Sequence, residues 1–431
     1  MKLKGAIRLA GGTTEYPVFS ILLSMVLILL SPFVSTYLCY VAFIVCLYRV
    51  LRYDAKVFAT DYIMLLPVTQ MFRTTGGMTF LIWLCLIAAI WFFMRGTIRA
   101  NATFVFLLLL LNYLITRMQM NISDFVLCFG QIFILYVLLP KQDVVSAECT
   151  TKVFCWSLIA TSAYALVLRN TAQLVAFRGP ESVAIWGTSI MRFSGLVRDP
   201  NYYMTMLLAG MAVLCKLKET GRVQPLWFLG QVVAMTVFGI LTYSKTFFLM
   251  LLLLGGIYII WQYWSKKLFK GMAFTILGVV VCAFFLLSDN SPFSVVLARL
   301  TSSSDLSVIT TGRSDLFARY WNVIAENLQS LLFGFGLNAP ILGKGTHLLY
   351  LEIVYHIGLV GLILIICLFA NLVQDLQKDN LQIKKQSLIA KYTVVAISVI
   401  QYFSLQGMFL VFTYGVFFVA FLSIKIVPKE S

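Results

Sequence analysis

Long apolar runs recur from Val18 to Ile424, each bounded by one or a few polar residues. Most are close to the roughly 20 residues a helix needs to cross the hydrocarbon core of a bilayer. The pattern predicts helices near 17–34, 36–50, 57–72, 76–94, 102–117, 122–139, 153–168, 200–217, 226–243, 246–264, 270–287, 348–371, 388–404 and 406–424. Asp61 and Pro67 make the third the weakest of the set. The expected fold is therefore an all-α polytopic membrane protein of about 14 transmembrane helices, 12–14 being compatible with the pattern. It forms a single transmembrane domain over 1–431, with no separate soluble domain, no internal repeat and no low-complexity segment.

Two connections exceed the few residues that join packed elements. One runs over 169–199 and the other, larger, over 288–346; loops of this length usually carry function. Within the second, Leu316, Phe317, Tyr320, Ile324, Leu328 and Leu331 recur at helical spacing from Arg313 to Leu332. Thr310 or Thr311 is placed to cap this amphipathic helix and Gly334-Phe335-Gly336 to end it. The expectation is a helix lying along the membrane surface.

Composition agrees with lipid as the solvent. The 431 residues are 61% hydrophobic and 12% charged, against about 25% charged in soluble domains. The +16 net charge needs no nucleic-acid partner, because Lys and Arg gather in cytoplasmic loops. With both termini cytoplasmic, 22 of the 33 Lys and Arg fall inside and 11 outside, at least two in every inside loop. The count includes Arg49, Arg52 and Lys56 in the first inside loop. Lys2, Lys4 and Arg8 precede the first apolar run without a small-residue cleavage site, which reads as an uncleaved first helix. The nine cysteines show no CxxC spacing, and the two long loops contain none, so neither metal nor disulfide chemistry is expected.

The 11 outside cations are the candidate chemistry: Arg73, Arg117, Arg169, Arg178, Arg192, Arg198, Lys245, Arg299, Arg313, Arg319 and Lys344. Nine are arginine, the better fork for phosphate oxygens. Single ones read equally as headgroup contacts; as a set they point to an anionic ligand. Lys245 sits in a short turn between two strongly apolar segments, where an ammonium needs a partner unless it simply anchors a helix end. Asp199-Pro200 reads as a helix start, so Arg198 and Asn201 would face a helix N-terminus and its anion-binding N–H groups; the bland alternative is a cap with a local Arg198–Asp199 pair. His347 stands where the second loop enters a helix, and His356 reads as a packed or pore-lining polar residue. Asp61, Asp124 and Glu352 lie inside apolar segments, where carboxylates are functional candidates; proton-coupled transport is the competing use.

In order and spacing these pieces resemble the O-antigen ligase and bacterial surface-polysaccharide polymerase superfamily. The pieces are Arg192-Phe193-Ser194-Gly195 leading into Asp199-Pro200-Asn201, Ser244-Lys245, Thr311-Gly312-Arg313, Gly334-Phe335-Gly336, His347 to Leu351, and Gly358-Leu359-Val360-Gly361. The likeness covers roughly residues 190–370. It implies a metal-independent, inverting membrane glycosyltransferase needing no cofactor, working on the outer face of the bacterial plasma membrane. The donor would be an oligosaccharide on undecaprenyl pyrophosphate, with a flippase and a chain-length regulator as further partners. The resemblance suggests Lys245 and Arg313 as pyrophosphate contacts, with Arg192, Arg198, Asp199, Asn201 and Gly312 lining the site, and His347 as the acceptor-activating group. Two positions depart from the pattern: Lys245 stands where the family usually has arginine, and Leu348 where asparagine often follows the histidine. Those departures favour a polymerase of the capsule, exopolysaccharide or O-antigen type over a ligase. The alternative from another class is a transporter or flippase of lipid-linked oligosaccharide.

Overall fold

A computed structural model describes residues 17–74, 79–96, 106, 109, 131–178, 182–185, 188–264, 313–336, 339–342, 345–378, 383, 386–403, 405 and 410–428. Among these residues the chain is helical apart from one short β-hairpin. The helices are α1 Val18–Leu30, α2 Tyr37–Arg52, α3 Ala55–Leu65, α4 Phe80–Met94, α5 Gln131–Leu138, α6 Val144–Val167 and α7 Ala172–Arg178. After the hairpin come α8 Pro200–Glu219, α9 Pro225–Ile240, α10 Lys245–Trp264, α11 Arg313–Ala325, α12 Leu328–Phe333, α13 Leu349–Lys378, α14 Leu388–Gln401 and α15 Val411–Ser423. Strands β1 Ser182–Ile185 and β2 Thr188–Met191 pair antiparallel, Ser182 opposite Met191. The helix expected at 270–287 lies outside the described residues, as do Thr310 and Thr311; of the one expected at 102–117 only 106 and 109 are described, both helical.

Helix α8 is the hub. It packs against α6, α9, α10, α14 and α15, and an unbroken run from Tyr203 to Leu217 is buried. A helix apolar all round is stable only when enclosed on every side. Outer helices are built the other way. Phe19, Leu22, Val26 and Leu30 on α1, and Leu229, Val233 and Val237 on α9, form exposed apolar stripes at helical spacing. Such stripes are costly in water. Lys245–Gln262 and Leu349–Gln377 are long and apolar enough to cross a membrane.

Polar contacts sort to the two ends of α8, whose 20 residues span about 30 Å. At its C-terminal end, Lys216 donates to Gln386 Oε1 at 2.6 Å and Arg222 Nε to the Val427 carbonyl at 2.7 Å. Arg222 also pairs with Glu148, and Lys56 with Asp143 at 2.5 Å. Arg192, Arg198 and Arg313 of the long connections stand near the N-terminal end, described below.

Several expectations need correction. Arg49 is not a loop cation. It is 1% exposed on α2, with Nε 2.7 Å from Asp61 Oδ2. Its Nη1 donates to the Ser20 carbonyl at 2.6 Å and Nη2 to Ser24 Oγ at 2.9 Å. The pair therefore ties α1, α2 and α3 together, and Asp61 is held by Arg49 through Oδ2, while its buried Oδ1 has no hydrogen-bond partner among the described residues. Helix α6 begins at Val144, nine residues before the expected start, because Asp143 and Ser146 form a capping box there. The first long loop carries α7 and the hairpin.

The amphipathic stretch of the second loop does not lie free along a surface. It forms two helices, α11 and α12, broken after Ala325, with Asn327 capping the second. Leu316, Tyr320 and Ile324 are buried, the latter two against Leu351, Val354 and Tyr355 of α13.

Candidate functional site: a cationic cluster at one end of the bundle

The segment before α8 is tied down by its own residues. The Phe193 amide donates to the Leu241 carbonyl at 2.9 Å, and the Phe193 ring packs edge-on to Tyr203. Gly195 has φ +56°, and a Cβ there would stand 2.7 Å from the Tyr203 ring; glycine alone fits both constraints. Asp199 then caps α8, its Oδ1 accepting from the Asn201 amide at 2.6 Å and the Tyr202 amide at 3.3 Å. Of the two readings the sequence offers here, an anion-binding helix start and a cap, the structure shows the cap. A carboxylate of the chain itself already takes the first-turn N–H groups.

The side chains around that cap form a connected set. Arg192 Nε donates to the Thr242 carbonyl at 2.8 Å and Nη2 to Asn201 Oδ1 at 3.0 Å. Ser244 Oγ donates to the same Asn201 oxygen at 3.4 Å. Lys245 follows as the first residue of α10, a helix-start residue rather than a member of a free turn. Arg313, the first residue of α11, is half-buried and within electrostatic reach of Asp199 and Tyr202. Burial lowers its pKa from the ordinary arginine value and Asp199 opposes that shift; the guanidinium remains charged at neutral pH. Arg73 donates to Gln70 and lies close enough to Arg198 to feel it. Its pKa is lowered first by burial and then by that like charge. Two guanidiniums this close raise the local positive potential.

His347 enters at the start of α13. Two residues later the Leu349 amide donates to the Tyr402 carbonyl at 3.1 Å, and Thr346 Oγ1 reaches the Leu348 carbonyl at 3.1 Å. One turn further on, buried Glu352 is within electrostatic range of Tyr202 and Tyr320. Tyr202 is also in range of Asp199 and Arg313. Reasoning from sequence passed over Tyr202; its only signal was its place in the first turn of α8, beside Asn201. Gly312, Lys344, Arg117, Arg299 and Asp124 lie outside the described residues. Arg169 and Arg319 are exposed, and His356 is buried, its Nδ1 2.9 Å from the Gly336 carbonyl.

Among the described residues, the non-glycine positions with positive φ are Arg198 (74°), Tyr243 (49°) and His347 (51°). All three belong to this end of the bundle. Left-handed backbone costs an L-residue about 1–2 kcal/mol, and such strain concentrates at functional sites.

Two motif pieces far apart in sequence are physical partners. Gly358, with φ 72°, breaks α13. The break frees the carbonyls of Tyr355 and His356 from their own helix, and they accept instead from the amides of Phe335 and Gly336, each at 2.8 Å. A Cβ on Gly358 would meet the Leu332 carbonyl oxygen at 2.1 Å. The large loop is thus fastened to α13 through Gly334-Phe335-Gly336 and Gly358.

Beyond Leu349 and Tyr350 an apolar cavity of about 530 Å³ opens, bordered by α13, α14 and α15, and extends to Gln374, Gln377 and Tyr392. No described lining residue is charged. Among the described residues no group of three or more His, Cys, Asp or Glu is placed to hold a metal ion. Comparison with protein-family models, with curated proteins and with solved structures finds no match.

Proposed function

We propose that this chain is an integral membrane glycosyltransferase that polymerises surface polysaccharide. In this reading it moves a glycan from an undecaprenyl-pyrophosphate donor to a sugar acceptor at the outer face of a bacterial plasma membrane. The observation that carries the reading is the cationic cluster. Arg313 is within electrostatic reach of Asp199, Arg192 is held on Asn201, Lys245 starts α10, and Arg73 lies near Arg198. Five cations against two nearby carboxylates, Asp199 and Glu352, make a site for a multiply charged anion.

The chemistry follows from that charge. Pyrophosphate departs readily if the charge growing on its oxygens is neutralised by fixed groups. Hydrogen bonds to charged groups contribute about 1.5–3 kcal/mol each, so two or three supply several powers of ten in rate. His347 is the group assigned to take the acceptor hydroxyl's proton, a role contributing about 10²–10⁴-fold. The uncharged cavity beside Leu349 and Tyr350 supports a substrate with a lipid tail. The sorting of cations to the two ends of α8 supports a chain threaded repeatedly across the bilayer with this cluster on one face.

The test is Arg313→Ala. It is expected to abolish polymer in cells while the protein still inserts and accumulates; normal chain length in that variant would sink the enzyme reading. Flux of lipid-linked oligosaccharide into vesicles holding only the purified protein would favour a transporter instead.

A further inference from the structure

Helix α11 carries two apolar stripes, and only one is used for packing. Leu316, Tyr320 and Ile324 are buried. Phe317 and Trp321 remain 45% and 42% exposed, their rings 6.2 Å apart between centroids with 4° between planes. The two parallel rings, one turn apart, form an aromatic stripe on the exposed side of the helix. Arg313, Phe317 and Trp321 stand at i, i+4 and i+8, so the surface begins at the candidate phosphate-binding arginine and runs about 12 Å along the helix axis. That is the length of a short oligosaccharide.

We propose that the Phe317–Trp321 face of α11 is a saccharide-binding platform that seats the sugar rings of the glycan extending from the diphosphate at Arg313. The proposal rests on the transferase reading above and names where the sugar part of its substrate lies. Aromatic faces carry negative charge density and attract the weakly positive C–H faces of sugar rings. Exposed Ala318 and Ala325 leave the neighbouring surface low. Register chooses the occupant. Arg313 stands one turn before Phe317 on the same side of α11, so a glycan leaving a diphosphate held at Arg313 runs along the two rings, whereas Asp315, Arg319 and Glu326 stand on the opposite side of the helix.

The experiment uses the full chain in lipid nanodiscs. The probe is the glycan released by mild acid from the lipid-linked pool of the strain that makes the protein. Calorimetric titration should show saturable binding. Phe317→Ala and Trp321→Ala should each weaken it by roughly three- to tenfold, in the range measured for aromatic contacts, and the double variant by more. Trp321→Phe should keep most of the affinity. Binding of bare undecaprenyl pyrophosphate should be unchanged throughout, and the thermal midpoints of these exposed-site variants should match the wild type. Absence of glycan binding by the wild type, or equal affinity in the double variant, overturns the proposal. So does quenching by brominated lipid that disappears in Trp321→Phe while glycan affinity stays constant, which would assign the face to the membrane. Arg313→Ala separates this from the underlying function. If polymer survives that change but glycan affinity still depends on the two rings, the platform stands and the transferase reading falls.

Discussion

Asp61→Asn is the sharpest probe of the fold. The change keeps the side chain's shape and removes its charge. Arg49 then stays buried, its guanidinium still held by the Ser20 carbonyl and Ser24 Oγ but without the carboxylate 2.7 Å from its Nε. Breaking one side of a buried pair costs about 3–5 kcal/mol, because the remaining charge is stranded. The asparagine oxygen can still accept from Nε, so the lower end of that range is expected. Replacing both partners with apolar residues, Arg49→Met with Asp61→Leu, removes the stranded charge and should recover most of the loss. The assay is a double-mutant cycle on unfolding of the detergent-purified protein by heat or SDS. Coupling of about 2 kcal/mol or more between the two sites is expected. A single-site loss under about 1 kcal/mol, or a double variant equal to the sum of the singles, would refute the reasoning. The result bears on function too. If Asp61→Asn left stability untouched and abolished proton-dependent transport, the carboxylate would be a carrier rather than a strut.

Arg198→Gly should stabilise the protein by about 1 kcal/mol while lowering polymer yield. It relaxes left-handed backbone and removes the like charge beside Arg73; thermal midpoint and polymer yield check the two halves. Gly358→Ala should cost at least about 2 kcal/mol, from positive φ and collision with the Leu332 carbonyl. It should also raise protease cleavage within 313–336; unchanged cleavage would show that the loop is held elsewhere. Lys56, Ser146 and their hydrogen bonds overcome the opposing effect of burial and hold Asp143 below its usual 3.8. A depressed carboxylate contributes stability that is complete above its unfolded pKa and lost as pH falls through the folded value. Asp143→Asn should therefore destabilise at neutral pH and converge with wild type below about pH 4, read by unfolding at a series of pH values.

Among the described residues the helices fall near their expected places because long apolar runs bounded by polar residues mark buried or membrane helices. What failed was local chemistry that hydropathy does not encode. Asp143 starts α6 nine residues early because a capping box forms there; the polar residues that build the cap look like loop by hydropathy. Arg49 was counted as a loop cation because a charge near the end of an apolar run usually is one. Only the partner on the next helix, 12 residues on, shows that it is inside. The break at Gly358 was hidden for a related reason. A glycine within an apolar run reads as tolerated, and the carbonyls it frees are answered by a segment 20 residues upstream.

The candidate site was legible as a set of residue types and illegible as a geometry, and Asp199 shows why. Asp-Pro-Asn signals a helix start, and a helix start signals an anion site. Yet the same aspartate that announces the helix occupies its first-turn amides. Any phosphate must therefore be bound by side chains rather than by backbone. That moves the weight onto Arg313, which has Asp199 within electrostatic reach. An acid beside Arg313 offsets its charge without cancelling that of the cluster, because four further cations stand near the same helix end. Replacing Asp199 with serine keeps an acceptor at the cap and removes the competing charge. Donor affinity should then rise while turnover falls if Asp199 orients Arg313. Both should fall together if its only task is to start the helix.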